Sequence, residues 1–271
     1  VFLRFKRFFS IVREIYQPHI NVLLMAAGSA IASPQLAFFR RCTQSSDMPE
    51  TTAPNLRDIA VWIFDLDNTL YPAGCGLGAQ LGRRMGEFVA KYLGLPMDQA
   101  RVVQKRYFHD HGTTLRGMML EHDLEPGEYL DYVHDLDLSG IPIDNRLGQA
   151  LGALPGRKVV YTNATTKHAL RVVRHLGIDH HFDGYFDIID ADFVPKPNLQ
   201  PYDVVLARHD IDPARAVMVE DIAQNLVPAC DLGMATVWVR GGRELNLAAD
   251  HIRHVHHITD DLPGWLLDLP A

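Results

Sequence analysis

Ile59 to Leu66 reads IAVWIFDL, an almost unbroken apolar run. A strand with one wet face alternates apolar and polar residues. A run that is apolar nearly throughout fits a strand buried on both faces, as in parallel sheets covered by helices. Further strand-like runs lie at Lys158–Thr162, Tyr185–Ile189, Ala216–Glu220, Ala235–Val239 and Val255–Thr259. They alternate with helical patterns at Thr165–Leu176, Leu199–His209, Ile222–Leu232 and Leu262–Leu267. That alternation predicts an α/β fold with a doubly wound parallel sheet. The stretch between the first two strands is patterned as helices, at Gly78–Leu93, Met97–His109, Leu115–Glu121 and Pro126–His134. At roughly 80 residues it is too long for a crossover helix. An inserted all-helical cap domain is therefore expected over residues 76–155, on a core of residues 58–75 and 156–271. Gly74-Cys75-Gly76-Leu77-Gly78 reads as the hinge into it.

Residues 1–57 are expected to be an extension outside this fold. The first fifty residues carry six Lys/Arg against three acidic residues, whereas the whole chain has a net charge of −7. The reading preferred for them is an upstream segment not normally translated, with Met48 as the start. A secretory signal, with Ile20–Ser33 as its apolar part, comes second, and an organelle transit peptide third. An acidic chain without a basic block is a poor binder of nucleic acid. No run of apolar residues is long enough to predict a membrane span. Cys42, Cys75 and Cys230 are sparse and form no CxxC pair, which favours a reducing compartment. A cytoplasmic location is expected.

Ligands of open α/β sheets bind beyond the carboxyl ends of the strands. The first strand ends in Asp65-Leu66-Asp67-Asn68-Thr69. Carboxylates at i and i+2 of an extended chain share a side, and like charges repel unless a cation or catalysis needs them. The second strand ends in Thr162-Asn163, suited to hydrogen bonding an anion or, equally, to capping the helix at Thr165. Lys196 stands between Pro195 and Pro197, stiffly placed, either at the site or in a surface turn. The fourth strand ends in Glu220-Asp221, with Asn225 a helical turn further on. Hard oxygen donors without His or Cys indicate Mg²⁺.

These residues, in this order, resemble the haloacid dehalogenase-like hydrolase superfamily: Asp65 to Thr69, then Thr162-Asn163, Lys196-Pro197, and Glu220-Asp221 with Asn225. The resemblance implies a Rossmann-like core with a helical cap and phosphoryl transfer through an aspartyl-phosphate. It implies that Asp65 is the nucleophile and Asp67 the acid that becomes the base. Lys196 neutralises charge, and Thr162 and Asn163 bind phosphate. Mg²⁺ is held by Asp65, the main-chain carbonyl of Asp67, and Asp221. Glu220, where many relatives have Asp, is expected to stand behind Asp221 rather than on the metal. Dehalogenases of the superfamily lack Asp at the position of Asp67, which favours a phosphatase.

At finer grain, DLDNTLYP at 65–72, Tyr107, Gly112-Thr113, Arg116-Gly117, Tyr161 to Ala164, Lys167-His168-Ala169 and Val194 to Pro197 resemble the pyrimidine 5′-nucleotidase branch. The implied substrate is a small phosphate monoester, a pyrimidine nucleoside 5′-monophosphate. The enzymatic alternative is a sugar phosphate or phosphoglycolate. Tyr107 and Arg116 are the cap residues expected to contact the base or sugar, with packing as their other reading. A receiver-like signalling domain would also cluster acids and a lysine on a parallel sheet, but it would lack the insertion. His251, His254, His256 and His257 read as a polar strand or loop rather than a metal site, and His109-Asp110-His111 as a solvated helix end.

Overall fold

The computed structural model describes residues 55–241 and 253–269. The readings placed on residues 1–54, Cys42 among them, and on His251 lie outside the described residues. Among those described, six strands form one sheet: β1 (Val61–Phe64), β2 (Arg157–Tyr161), β3 (Gly184–Phe186), β4 (Ala216–Glu220), β5 (Ala235–Val239) and β6 (His257–Thr259). The order is β3-β2-β1-β4-β5-β6, and each neighbouring pair is parallel. The expected doubly wound sheet is what forms. The chain runs outward from β1 through β2 to β3, then crosses to the other side for β4, β5 and β6. β1 and β4 are thus neighbours at the reversal of strand order, where such sheets open a crevice.

β1 is apolar at every position because both of its faces are covered. Trp62 and Phe64 pack with Val160, Val217 and Val237 on one side. Val61 and Ile63 pack with Val159, Met218 and Tyr202 on the other. Successive strand residues point to opposite faces, so a strand with helices on both sides has no place for a polar residue. Gly156 leads into β2 with φ of 79°, and an added Cβ would lie 2.4 Å from the Ala60 carbonyl oxygen.

Four helices follow β1: α1 (Leu77–Leu93), α2 (Met97–His111), α3 (Thr114–His122) and α4 (Pro126–Val133). They share an apolar core of their own, with Phe88, Val89, Tyr107, Met118, Tyr129 and Val133 at its centre. The Phe88 and Tyr129 rings meet edge to face with centroids 5.0 Å apart.

The next helix, α5 (Asn145–Ala153), departs from expectation in two ways. The sequence reading assigned no element there and ran the helical block to residue 155. Asp144 caps the helix by accepting from the Arg146 amide. Leu147, Ala150 and Leu151 fall on one stripe and join the sheet's core with Leu262 and Leu266 of α9 (Leu262–Leu267). Leu136 and Ile141 already belong to that core. Packing therefore divides the block near residue 135 rather than 155.

Among the described residues, α6 (Thr166–His175), α7 (Leu199–Arg208) and α8 (Ala223–Asp231) also cover the sheet. β3 stops at Phe186, short of the expected Ile189. Asp187 ends it: its carboxylate accepts from the amides of Thr166, Ile189 and Asp190 and turns the chain out of the sheet. Ile188 packs instead with the helical cap. His254 and His256 serve the far edge of the sheet, where Thr236 donates to the His254 carbonyl at 2.7 Å and lies 3.0 Å from His256 Nδ1.

Candidate active site

The ends of β1, β2 and β4 converge on Lys196. Asp65 extends the β1 ladder by one residue, its amide donating to the Val219 carbonyl at 2.9 Å. Its carboxylate accepts from Lys196 Nζ through Oδ1 at 2.7 Å and from the Thr69 hydroxyl through Oδ2 at 3.2 Å. The same ammonium donates to Glu220 Oε2 at 2.7 Å and to the Tyr161 carbonyl at 2.9 Å, and it lies over the Tyr161 ring. Its three protons are thus all used. The Lys196 main chain is fixed from β2, where Asn163 Oδ1 accepts its amide at 2.9 Å. Thr162 is buried, with its hydroxyl oxygen accepting from the Ala164 amide at 2.9 Å. Of the two readings left open for Lys196, a surface turn is excluded, since only 3% of the residue is exposed.

Asp65, Glu220 and Asp221 each bring a carboxylate oxygen within 4.8 Å of the others. Asp65 and Glu220 share the one ammonium of Lys196, and Asp221 stands beside them. Burial first, and then Glu220, push the Asp65 carboxyl up to about 7, with Lys196 pulling the other way. Burial disfavours the Lys196 ammonium too, but Asp65 and Glu220 outweigh it and keep Lys196 above its ordinary value. Three clustered, buried hard oxygen donors suit a divalent cation, so the residues present fit Mg²⁺. Glu220 lies within the acid cluster while one of its oxygens is held by Lys196. Asp221 is steadied from β5 by Trp238, whose indole donates to its main-chain carbonyl at 2.9 Å.

Asp67 stands at the edge of this cluster with about a quarter of its side chain exposed. Its Oδ1 accepts from the Tyr71 hydroxyl at 2.5 Å and from His168 Nε2 at 3.2 Å. Burial works to raise this carboxyl, but the bonds from His168 and Tyr71 prevail and hold it below the usual range. Tyr71 and His168 lie within the matched motifs, but the sequence alone assigns neither a role. A signal for His168 was present: it follows the N-cap Thr165 by three residues, and its amide donates to the Thr165 hydroxyl at 3.2 Å. That places it in the first turn of α6, directly beyond the end of β2.

A cleft of about 520 Å³ lies between this cluster and the helical cap. Asp65, Asp67, Thr162, Asn163, Lys196, Glu220 and Asp221 all border it, and from the cap so do Leu81, Met85, Lys105 and Phe108. Phe108 is 60% exposed. The two cap residues expected from the sequence are not among those that border it. Tyr107 is 1% exposed; its hydroxyl donates to Glu121 at 3.1 Å and lies 2.7 Å from His122 Nε2. Arg116 donates to the Phe193 carbonyl at 3.0 Å, tying the cap to the core. Packing, the other reading weighed for both, describes their surroundings. Successive residues of a helix point about 100° apart, so Tyr107 faces the cap core while Phe108 and Lys105, three apart, share the cleft side. His109 and His111 pair with Asp110 and Glu121 on the cap itself.

The family model of haloacid dehalogenase-like hydrolases matches residues 59–229, more than half of the chain, and the chain belongs to that family. It is a hydrolase. Phosphate metabolism protein 8 of Saccharomyces cerevisiae is 26% identical over 196 residues, which span 65% of this chain and 60% of that protein. The chain thus covers less than two thirds of that relative's length. Among solved structures, a haloacid dehalogenase-like family hydrolase from Streptococcus pneumoniae superposes with TM-score 0.53 at 17% identity, over 78% of this chain and 98% of that one. A HAD phosphatase from Thermococcus onnurineus gives 0.51 at 19%, over 74% and 93%. These likenesses establish the fold. Among the described residues no helix is long and apolar enough to cross a membrane.

Proposed function

We propose that the chain is a Mg²⁺-dependent phosphomonoesterase that works through an aspartyl-phosphate, with a pyrimidine nucleoside 5′-monophosphate as substrate. The observation that carries the reading is the pairing of two unlike carboxylates. Asp65 is buried against Lys196, and Asp67, two residues on, reaches the cleft. A family of this name includes halide displacement, which needs no proton for its leaving group. An alcohol leaving group does need a proton, and Asp67 stands where it can supply one.

Asp65 attacks phosphorus through one oxygen while the ester bond to the alcohol breaks. The alcohol oxygen takes a proton from Asp67, whose proton affinity rises as the substrate's negative charge comes close. In the second half Asp67, now a carboxylate, removes a proton from water as that water attacks phosphorus and releases Asp65. Lys196 offsets the charge of Asp65 and of a phosphoryl oxygen throughout, and Thr162 and Asn163 border the phosphoryl position. Asp65, Asp221 and the main-chain carbonyl of Asp67 would hold Mg²⁺, whose charge offsets the repulsion between the Asp65 carboxylate and the dianionic phosphate.

The core groups address only the phosphoryl group, so selection of the alcohol falls to the cap, which we take as residues 77–134. Phe108 offers an aromatic face for a base and Lys105 a donor for a base carbonyl oxygen. Both UMP and p-nitrophenyl phosphate serve as test substrates, with phosphate release measured. Phe108→Ala is expected to lower kcat/KM for UMP by about 10–200-fold, the range for one lost apolar contact or stack, and to leave p-nitrophenyl phosphate almost unchanged. Equal loss on both would take the selecting contact away from Phe108. A preference of the wild type for sugar phosphates or phosphoglycolate over UMP would overturn the nucleotide assignment alone.

A further inference from the structure

We propose that His168 and Tyr71 are positioning residues that hold Asp67 by one oxygen and leave its other oxygen for proton transfer. This rests on the role given to Asp67 in the proposed function. Both donors converge on Oδ1, Tyr71 at 2.5 Å and His168 at 3.2 Å. No residue described donates to Oδ2, and Asp67 borders the cleft. A carboxylate held at one oxygen by two donors from different directions cannot swing about its χ angles, and the free oxygen keeps one bearing toward the leaving group.

The donors are themselves fixed. Tyr71 is buried among Phe64, Leu66 and Leu77 of the sheet's core; burial, then the nearby Asp67, keep its proton on. His168 has no exposed side-chain surface, and its Nδ1 is buried without a partner. Its ring therefore has a single polar bond, the one to Asp67. The other face of the ring is stacked by His134, with centroids 4.8 Å apart and planes 19° from parallel. His134 follows α4, where the chain leaves the cap, and Arg171 pins that exit by donating to the His134 and Leu136 carbonyls at 2.7 and 2.8 Å. Arg171 is on the same helix as His168. A buried imidazole with one unsatisfied nitrogen costs stability, and nothing in the core packing requires a polar ring there.

The test separates positioning from mere packing by the leaving group. A nucleoside alkoxide needs a proton to leave and a 2,4-dinitrophenolate does not, while kcat/KM for both reports only steps up to the aspartyl-phosphate. Expected for His168→Ala and Tyr71→Phe is a loss of about 10–100-fold in kcat/KM on UMP with less than about threefold on 2,4-dinitrophenyl phosphate. His168→Gln, which keeps a donor near the Nε2 position, should recover most of the UMP activity. Thermal melting of each variant confirms a folded chain, and Tyr71→Phe, which removes one oxygen only, carries the test if His168→Ala does not fold. Asp67→Asn is the control. If it discriminates between the two substrates and neither Tyr71→Phe nor any folded His168 variant does, the positioning role is overturned and the function stands. If Asp67→Asn itself loses both substrates equally, the acid role fails and the positioning role with it.

Discussion

Lys196 holds together two buried carboxylates, Asp65 and Glu220, whose like charges would otherwise repel. Removing one member of such a buried group leaves the others uncompensated, which costs far more than the group contributes as a whole. Lys196→Met should lower the free energy of unfolding by about 3–5 kcal/mol, read from denaturant unfolding at neutral pH. A loss below about 1 kcal/mol would mean that Asp65 and Glu220 relax to water when the lysine is gone. Asp65→Asn keeps the size of the side chain and a carbonyl acceptor for Lys196. It is expected to abolish phosphate release while the melting transition stays cooperative, and turnover retained by this variant would end the aspartyl-phosphate mechanism. The acids were legible because charged residues at the ends of apolar strands have few other uses, and the lysine because prolines stand on both sides of it. Tyr71 and His168 were not, because a tyrosine or histidine near a strand end is common, and only the fold shows that both point at Asp67. Tyr107 misled by a single position on its helix: a motif match carries residue identity, whereas the side facing the cleft is decided by how α2 packs.

Within the cap, α2 and α3 approach closely at Gly117. A Cβ added there would stand 2.4 Å from Tyr107 Cγ and 2.5 Å from its Cβ. Neither atom is the free end of a flexible chain, so a helix must shift. Gly117→Ala should therefore destabilise by about 1–3 kcal/mol through overpacking, seen as a lower melting temperature. Tyr107→Phe empties a hydroxyl position bonded to Glu121 and should cost about 0.5–1.5 kcal/mol. Its effect on UMP and p-nitrophenyl phosphate should be equal; a loss confined to UMP would return Tyr107 to the substrate. At this scale the sequence was readable where an element's pattern and its boundary signal coincide. β4, β5 and α9 begin and end where their apolar runs do. β3 was overrun because Ile188 and Ile189 continue an apolar run that the Asp187 side chain breaks by bonding three amides, a tertiary effect that pattern does not encode. α5 was missed because it is only nine residues long and carries two glycines, Gly148 and Gly152, that weaken a helical reading although Leu147, Ala150 and Leu151 form a stripe, and its partner α9 lies at the other end of the chain.

Across the whole molecule, the acid cluster is a product of the sheet and of nothing smaller. Asp65 comes from the end of β1, Glu220 and Asp221 from the end of β4, and the parallel pairing of Val61–Phe64 with Ala216–Val219 brings them together. An unfolded chain has no such cluster, so an ion that binds it binds only the native state and must stabilise it. The expected gain is about 2.7 kcal/mol when free Mg²⁺ stands at one hundred times its dissociation constant. The measurement is a thermal melt of the full chain, repeated with the chain begun at Met48, as Mg²⁺ is raised through the millimolar range. Both chains should show the same rise in melting temperature, because the three carboxylates lie in residues 65–221. Asp221→Asn should flatten the dependence on Mg²⁺. A melting temperature indifferent to Mg²⁺ would remove the metal from the proposed function. A shift present in the full chain and absent from the shorter one would instead show that residues 1–47 belong to the working protein.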